Sequence, residues 1–224
     1  MRGKIIIVVL LSFFIAGIVW SCKDNKEKNT GKNTTEIEQL ETGNRRFLEG
    51  KSIHPHQDKK TVLANQNGQK PFAVIVTCSD SRVSPEIIFD QGIGDLFVIR
   101  NAGNLISNID MGSIEYAIEH LDAKLIIVLG HTECGAVKAY INDKDRSYKK
   151  HLNHIDDIVE TISNEDEEIQ ADKILPKAQN YLGAIKANIK HSAKQIQDDA
   201  IAKGHKVKVV SICYDVHTGK TEKI

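Results

Sequence analysis

Cys78, His131 and Cys134 are the residues whose types and spacing bear most directly on chemistry. Two thiols and an imidazole suffice to hold a zinc ion and leave a fourth coordination position over. His131 and Cys134 are three residues apart, so both can face one ion from a single helical turn. Cys78 lies far away in sequence, whereas a structural zinc site draws its ligands mostly from two close pairs. The distribution therefore suits a catalytic centre assembled by the fold. Asp80 and Arg82 follow Cys78 at alternate positions and would share a face in extended chain. Asp80 is either a fourth metal ligand or the charge-assisted hydrogen-bond partner of Arg82. On the metal it would close the site; held by Arg82 it would leave room for water.

The elements that must position these residues alternate. Apolar runs at 72–76, 96–99 and 125–129 are short, branched and bounded by turn residues, which predicts strands buried on both faces. Helical spacing appears between them, as at Ile114, Ala117, Ile118 and Leu121. Strand–helix alternation predicts an α/β fold: a mostly parallel sheet with right-handed crossovers, flanked by helices. Cys78 and His131 both stand just past a strand end, where such sheets open their ligand crevice. Residues 207–214 read as a fourth strand, and 221–224 as an edge strand returning through the Thr218-Gly219 turn. Thr35 and Glu38 form a capping box for a helix running to about Gly50. Ser84-Pro85-Glu86 opens the first crossover helix, a second follows Asp110, short helical spacing covers 61–67, and a longer helix covers 178–202.

The chain has 224 residues with 30 basic and 30 acidic side chains, a balance that argues against a nucleic-acid partner. Neither a Walker-type loop nor a G-x-G-x-x-G fingerprint supports nucleotide binding. Residues 1–22 read as an export signal: Arg2 and Lys4, then an apolar run at 5–20, then Ser21-Cys22. The pattern resembles a bacterial lipoprotein signal with cleavage before Cys22 and lipid on its sulfur. Residues 23–35 form a solvated linker, and 36–224 the catalytic domain. The expected location is the cell envelope, membrane-anchored and facing the periplasm or the exterior.

Five segments together are similar to the β-class carbonic anhydrases. They are Gly43-Asn44-Arg45-Arg46-Phe47, Cys78-Ser79-Asp80-Ser81-Arg82-Val83, and Phe97-Val98-Ile99-Arg100-Asn101-Ala102-Gly103-Asn104. Gly130-His131-Thr132-Glu133-Cys134-Gly135-Ala136-Val137 and Tyr214-Asp215-Val216-His217-Thr218-Gly219-Lys220 complete the set. The resemblance implies reversible hydration of carbon dioxide to bicarbonate and a proton, by hydroxide generated on zinc. It implies one zinc per chain on Cys78, His131 and Cys134, with Asp80 as the gating carboxylate and Arg82 as its partner. Gln57 and Gly135 are its substrate contacts in this sequence. Four parallel strands plus an edge strand are the implied sheet, and the N-terminal helix the implied contact of a homodimer or larger homo-oligomer. Two other readings keep the fold: an envelope zinc-binding module without turnover, and a hydrolase of carbon disulfide or carbonyl sulfide. Cys213 is expected in the core, and His151 and His154 on a solvated face despite their metal-like spacing.

Overall fold

A computed structural model of the chain describes residues 35–142, 153–164 and 177–224. Cys22, His151 and the charge run at 165–168 lie outside the described residues.

The apolar runs become β1 (Ala73–Cys78), β2 (Leu96–Asn101) and β3 (Leu125–His131). They are joined by β4 (Lys208–Tyr214) and β5 (Thr221–Lys223). The sheet order is β2-β1-β3-β4-β5. The first four strands pair in parallel, and β5 returns antiparallel to β4. The helices are α1 (Glu36–Leu48), α2 (Lys59–Ala64), α3 (Pro85–Ile88), α4 (Asn108–Leu121), α5 (Gly135–Asn142), α6 (Asn153–Asn164) and α7 (Lys177–Ala202).

Alternate side chains of a strand face opposite ways, and here both directions are covered. Val74, Val76, Ile126 and Val128 pack with Ile114 and Ala117 of α4 and Ile185, Ile189 and Ile196 of α7. Ile75, Ile127, Leu129, Val210 and Ile212 pack with Leu40 of α1 and with Ile88 and Phe89. Burying two faces is why β1 and β3 read as unbroken apolar runs, and every residue of both is buried.

The outcome departs from the sequence reading at four places. β2 was expected to be buried on both faces, yet of Leu96, Phe97, Val98 and Ile99 only Ile99 is fully buried. It is an edge strand, like β5 at the other side of the sheet, with a neighbour on one side alone. α3 is a single turn, and Ser84 precedes it without a side-chain cap bond. The left-handed backbone of Asp90 (φ 47°) turns the chain away directly after it. α2 starts two residues early, capped by the Asp58 side chain, and ends at Ala64. α4 also starts early, on a capping box between Ser107 and Asp110. Among the described residues no helix is long and apolar enough to cross a membrane.

The capping box of α1 forms as expected: Thr35 Oγ1 accepts the Glu38 N–H and Glu38 Oε2 accepts the Thr35 N–H. α1 then docks by close approach. A Cβ on Gly43 would stand 1.7 Å from the Phe89 carbonyl oxygen, so glycine alone fits. The Asn44 side-chain amide donates to the carbonyls of Ile88 and Gly219, tying α1 to α3 and to the turn before β5.

Asp90, buried at 2 % exposure, organises the neighbouring loop. Its carboxylate accepts the N–H groups of Ile53 and His54 and the Arg46 guanidinium. Burial pushes its acidity the other way, but these donors outweigh it and hold the carboxyl below its ordinary value. A depressed folded-state pKa contributes stability that is present above the unfolded value of about 3.9 and is lost as pH falls through the folded one. Asp90→Asn should therefore lower the urea midpoint at pH 7 and flatten its decline between about pH 5 and pH 3. Parallel midpoint-against-pH curves for the two proteins would rule out this role for Asp90.

Candidate metal centre

β1 and β3 pair in register, with Thr77 opposite Leu129. Cys78 at the end of one and His131 at the end of the other therefore leave the sheet at the same edge. Cys134 stands directly before α5, where its carbonyl accepts the Lys138 N–H at 3.0 Å. The left-handed Glu133 (φ 63°) turns the chain so that Cys134 faces back toward the strand ends. The ligand atoms of Cys78, His131 and Cys134 all lie within 4.8 Å of one another. Their exposures are 5 %, 0 % and 2 %, so the three form a closed-off cluster.

His131 Nδ1 lies 2.8 Å from the Thr132 carbonyl oxygen. A carbonyl only accepts, so Nδ1 carries the proton and Nε2 presents a lone pair. That Nε2 is buried and has no hydrogen-bond partner among the described residues, an arrangement that costs about 1–3 kcal/mol when nothing occupies the lone pair. An S, N, S donor set of this kind fits a zinc ion, and the orphaned nitrogen fits it as the third ligand.

The two thiols differ in acidity. A hydrogen bond from Cys134 lowers the pKa of Cys78 against the opposing effect of burial, and the N–H groups of Gly103 and Asp80 add to it. Gly103 N donates to Cys78 Sγ at 3.4 Å. Cys134 is pushed far up, first by the hydrogen-bonded Cys78 and then by burial. The two sulfurs thus share a proton, so the pair loses its first proton readily and holds its second.

Asp80 is held by Arg82. Nε reaches Oδ1 at 2.9 Å, Nη2 reaches Oδ2 at 2.7 Å, and the Arg82 backbone N–H adds a third bond to Oδ1 at 2.9 Å. Those donors keep the carboxyl well below the usual carboxylate range. Of the two arrangements open to Asp80, the structure therefore has the one in which the guanidinium holds the carboxylate. Its Oδ2 still lies 4.0 Å from His131 Nε2, at the rim of the cluster.

Arg100 carries a role that the sequence reading left unassigned. Its guanidinium donates to the carbonyls of Cys78 (3.3 Å), Asp80 (3.0 Å) and Val83 (2.8 Å), clamping the turn that bears Asp80 and Arg82. Its position was the available signal: a charged residue on an apolar strand, paired with Thr77 beside Cys78.

Gly135 opens α5 beside Cys134 and is exposed; among the described residues a Cβ there would meet nothing within 4 Å. Gln57 is not brought to the cluster within one chain. Its loop bonds to the turn before β2, with the Ile93 N–H donating to the His56 carbonyl and His56 Nδ1 paired to Asp95. That turn is at the amino end of the sheet, and the cluster is at the carboxyl end, about 17 Å away along a six-residue strand. Loop length alone could not reveal this. Cys213 is buried in the core, and His154 is exposed and faces Asp157 at 3.6 Å.

Arg100→Met should cost about 1–3 kcal/mol and speed hydrogen exchange of the Val83 amide, which bonds to the Asp80 carbonyl. Unchanged Val83 exchange would show that the turn holds its shape without the clamp.

Comparison with known proteins agrees with this geometry. A family model described as "Carbonic anhydrase" matches residues 73–221. A carbonic anhydrase of Mycolicibacterium smegmatis is 46 % identical over 124 residues, covering 55 % of this chain and 60 % of that protein. Carbonic anhydrase 2 of Mycobacterium tuberculosis is 54 % identical over 100 residues, 45 % of this chain and 48 % of that one. The alignments thus span about half to three-fifths of these relatives. The solved β-carbonic anhydrase of Coccomyxa, in complex with acetazolamide, superposes with a TM-score of 0.65 at 26 % identity, covering 85 % of this chain and 87 % of that one. With its cluster, its strand order and these matches, the chain belongs to the β-class of the carbonic anhydrase family.

Proposed function

We propose that this protein catalyses the reversible hydration of carbon dioxide to bicarbonate and a proton, with one zinc per chain on Cys78, His131 and Cys134. The observation that carries the reading is the convergence of three buried donors, one of them an imidazole nitrogen unpartnered among the described residues, beside a carboxylate held by arginine. Bound there, zinc supplies a Lewis acid that lowers the pKa of water to about 7, the figure general to carbonic anhydrase.

The chain's own groups divide the remaining work. Cys78 brings negative charge to the cluster, stabilised by backbone N–H groups. His131 Nδ1, fixed on the Thr132 carbonyl, keeps the Nε2 lone pair turned inward. Asp80 stays ionised because Arg82 satisfies it, so at neutral pH its Oδ2 accepts hydrogen bonds and stores no proton. It orients water or bicarbonate at the rim, and the product proton leaves by another group. Gly135, exposed at the start of α5 and next to Cys134 in the chain, is the candidate substrate contact on that side. Gln57 joins such a site only from a second copy of the chain. The half-covered edge strand β2 supports association into a homodimer or a larger homo-oligomer.

Stopped-flow measurement on the purified chain should show carbon dioxide hydration together with one equivalent of zinc. Cys78→Ala should lose both. Full turnover in that variant would end the proposal, and stoichiometric zinc without turnover in the parent chain would reduce the protein to a binding module.

The second part of the proposal concerns place. Residues 1–22 direct export, and lipid on Cys22 holds the domain at the cell envelope, facing the periplasm or the exterior. Growth with a clickable palmitate analogue should label the protein, and Cys22→Ala should abolish the label. An unlabelled parent chain would remove the lipid anchor.

A further inference from the structure

Behind the metal cluster, α7 presents two polar side chains where core residues would be expected. Asn188 and Ser192 stand four apart on one face of the helix, and their exposures are 1 % and 0 %. Asn188 Nδ2 donates to the Gly103 carbonyl at 2.9 Å, and Ser192 Oγ donates to the Asn104 carbonyl at 3.0 Å. Gly103 and Asn104 are consecutive left-handed residues, at φ 85° and 51°. Such backbone persists only where its surroundings fix it, and Asn104 lacks the freedom of glycine. A Cβ on Gly103 would lie 3.0 Å from Ala136 Cβ, so the start of α5 closes on the same turn from the other side.

This pinned turn faces the metal cluster. The Gly103 N–H is a backbone donor to Cys78 Sγ, at 3.4 Å. Asn188 Oδ1, in contrast, has no partner among the described residues. Among the described residues this buried amide makes one of the four hydrogen bonds open to it, and that one is the bond to Gly103. A leucine, forked in the same way, would carry no unsatisfied polar atom there. The position uses the donor.

We infer that Asn188 is a positioning residue for the metal centre: from α7 it fixes Gly103 so that the Gly103 N–H points at the Cys78 sulfur. The bond spreads the thiolate charge and sets the direction in which the sulfur offers its lone pairs. Outer hydrogen bonds of this kind change metal affinity about 10- to 100-fold. The inference rests on the metal reading of the Cys78, His131 and Cys134 cluster.

The test uses the full chain loaded with Co²⁺, whose thiolate-to-cobalt absorption reports on the sulfur ligands. Asn188→Leu should bind one equivalent, show a displaced charge-transfer band, and release the ion to a chelator at least about tenfold faster than the parent. A parental band and a release rate within about twofold, even with a lowered melting temperature, would make Asn188 a packing residue and overturn the inference. A second measurement needs no variant. In the isotope-labelled parent chain, adding Cd²⁺ should shift both the Gly103 amide and the Asn188 side-chain amide resonances. A shift at Gly103 with none at Asn188 would overturn the inference even if Asn188→Leu failed to fold. A parent chain that takes up neither ion would instead sink the metal reading, and the inference with it.

Discussion

The parallel pairing of β1 with β3 is the constraint on which the rest of the structure depends. Thr77 opposite Leu129 places the ends of the two strands side by side. Cys78 and His131 then meet with no further adjustment of the chain. A slip of one residue would turn every side chain of one strand to the other face. It would send Val74 and Val76 away from α4 and α7 and carry Cys78 off the cluster. Core and site are thus specified by the same register, and the apolar pattern that secures one secures the other.

Around this pair the site is built from local turns, each locked by a different device. Arg100 fixes the Cys78–Val83 turn through three carbonyls. Glu133 turns Cys134 inward by adopting a left-handed backbone. Thr132 ties the end of β3 to the loop after β4: its Oγ1 accepts the Val216 N–H and donates to Asp215. The Asp80–Arg82 pair joins residues two apart, so it forms without closing a long loop. Its geometry depends instead on the turn that Arg100 holds. Charge is balanced inside the cluster's own neighbourhood, with the guanidinium opposing the carboxylate and backbone N–H groups opposing the first thiolate.

Most of this was legible in the amino-acid sequence because its signals were local or strongly periodic. The four parallel strands, the returning edge strand, the capping box at Thr35 and the Cys78, His131 and Cys134 set were all readable. What escaped was long-range. Leu96 to Ile99 has the same apolar run as a central strand, and only the strand order makes it an edge. Ser84-Pro85-Glu86 marks where α3 starts, but the turn at Asp90 that ends it is stabilised by residues some forty positions away. Asn188 bonds across 85 positions, and an asparagine on a helix carries no local mark of such a partner. Gln57 sits in a motif whose meaning depends on which end of the sheet its loop reaches.

The distribution of these contacts along the chain also bears on how the domain matures. During synthesis both cysteines and the histidine emerge well before α7, yet the Gly103–Asn104 turn behind them is secured by Asn188 and Ser192. β3 likewise stays uncovered along one side until β4 arrives near the end of the chain. A nascent polypeptide therefore carries two close sulfhydryls before the scaffold that shelters them exists. Ripening of this centre is tied to the last quarter of the polypeptide, and a chain cut short before α7 would leave reactive sulfur open to oxidants.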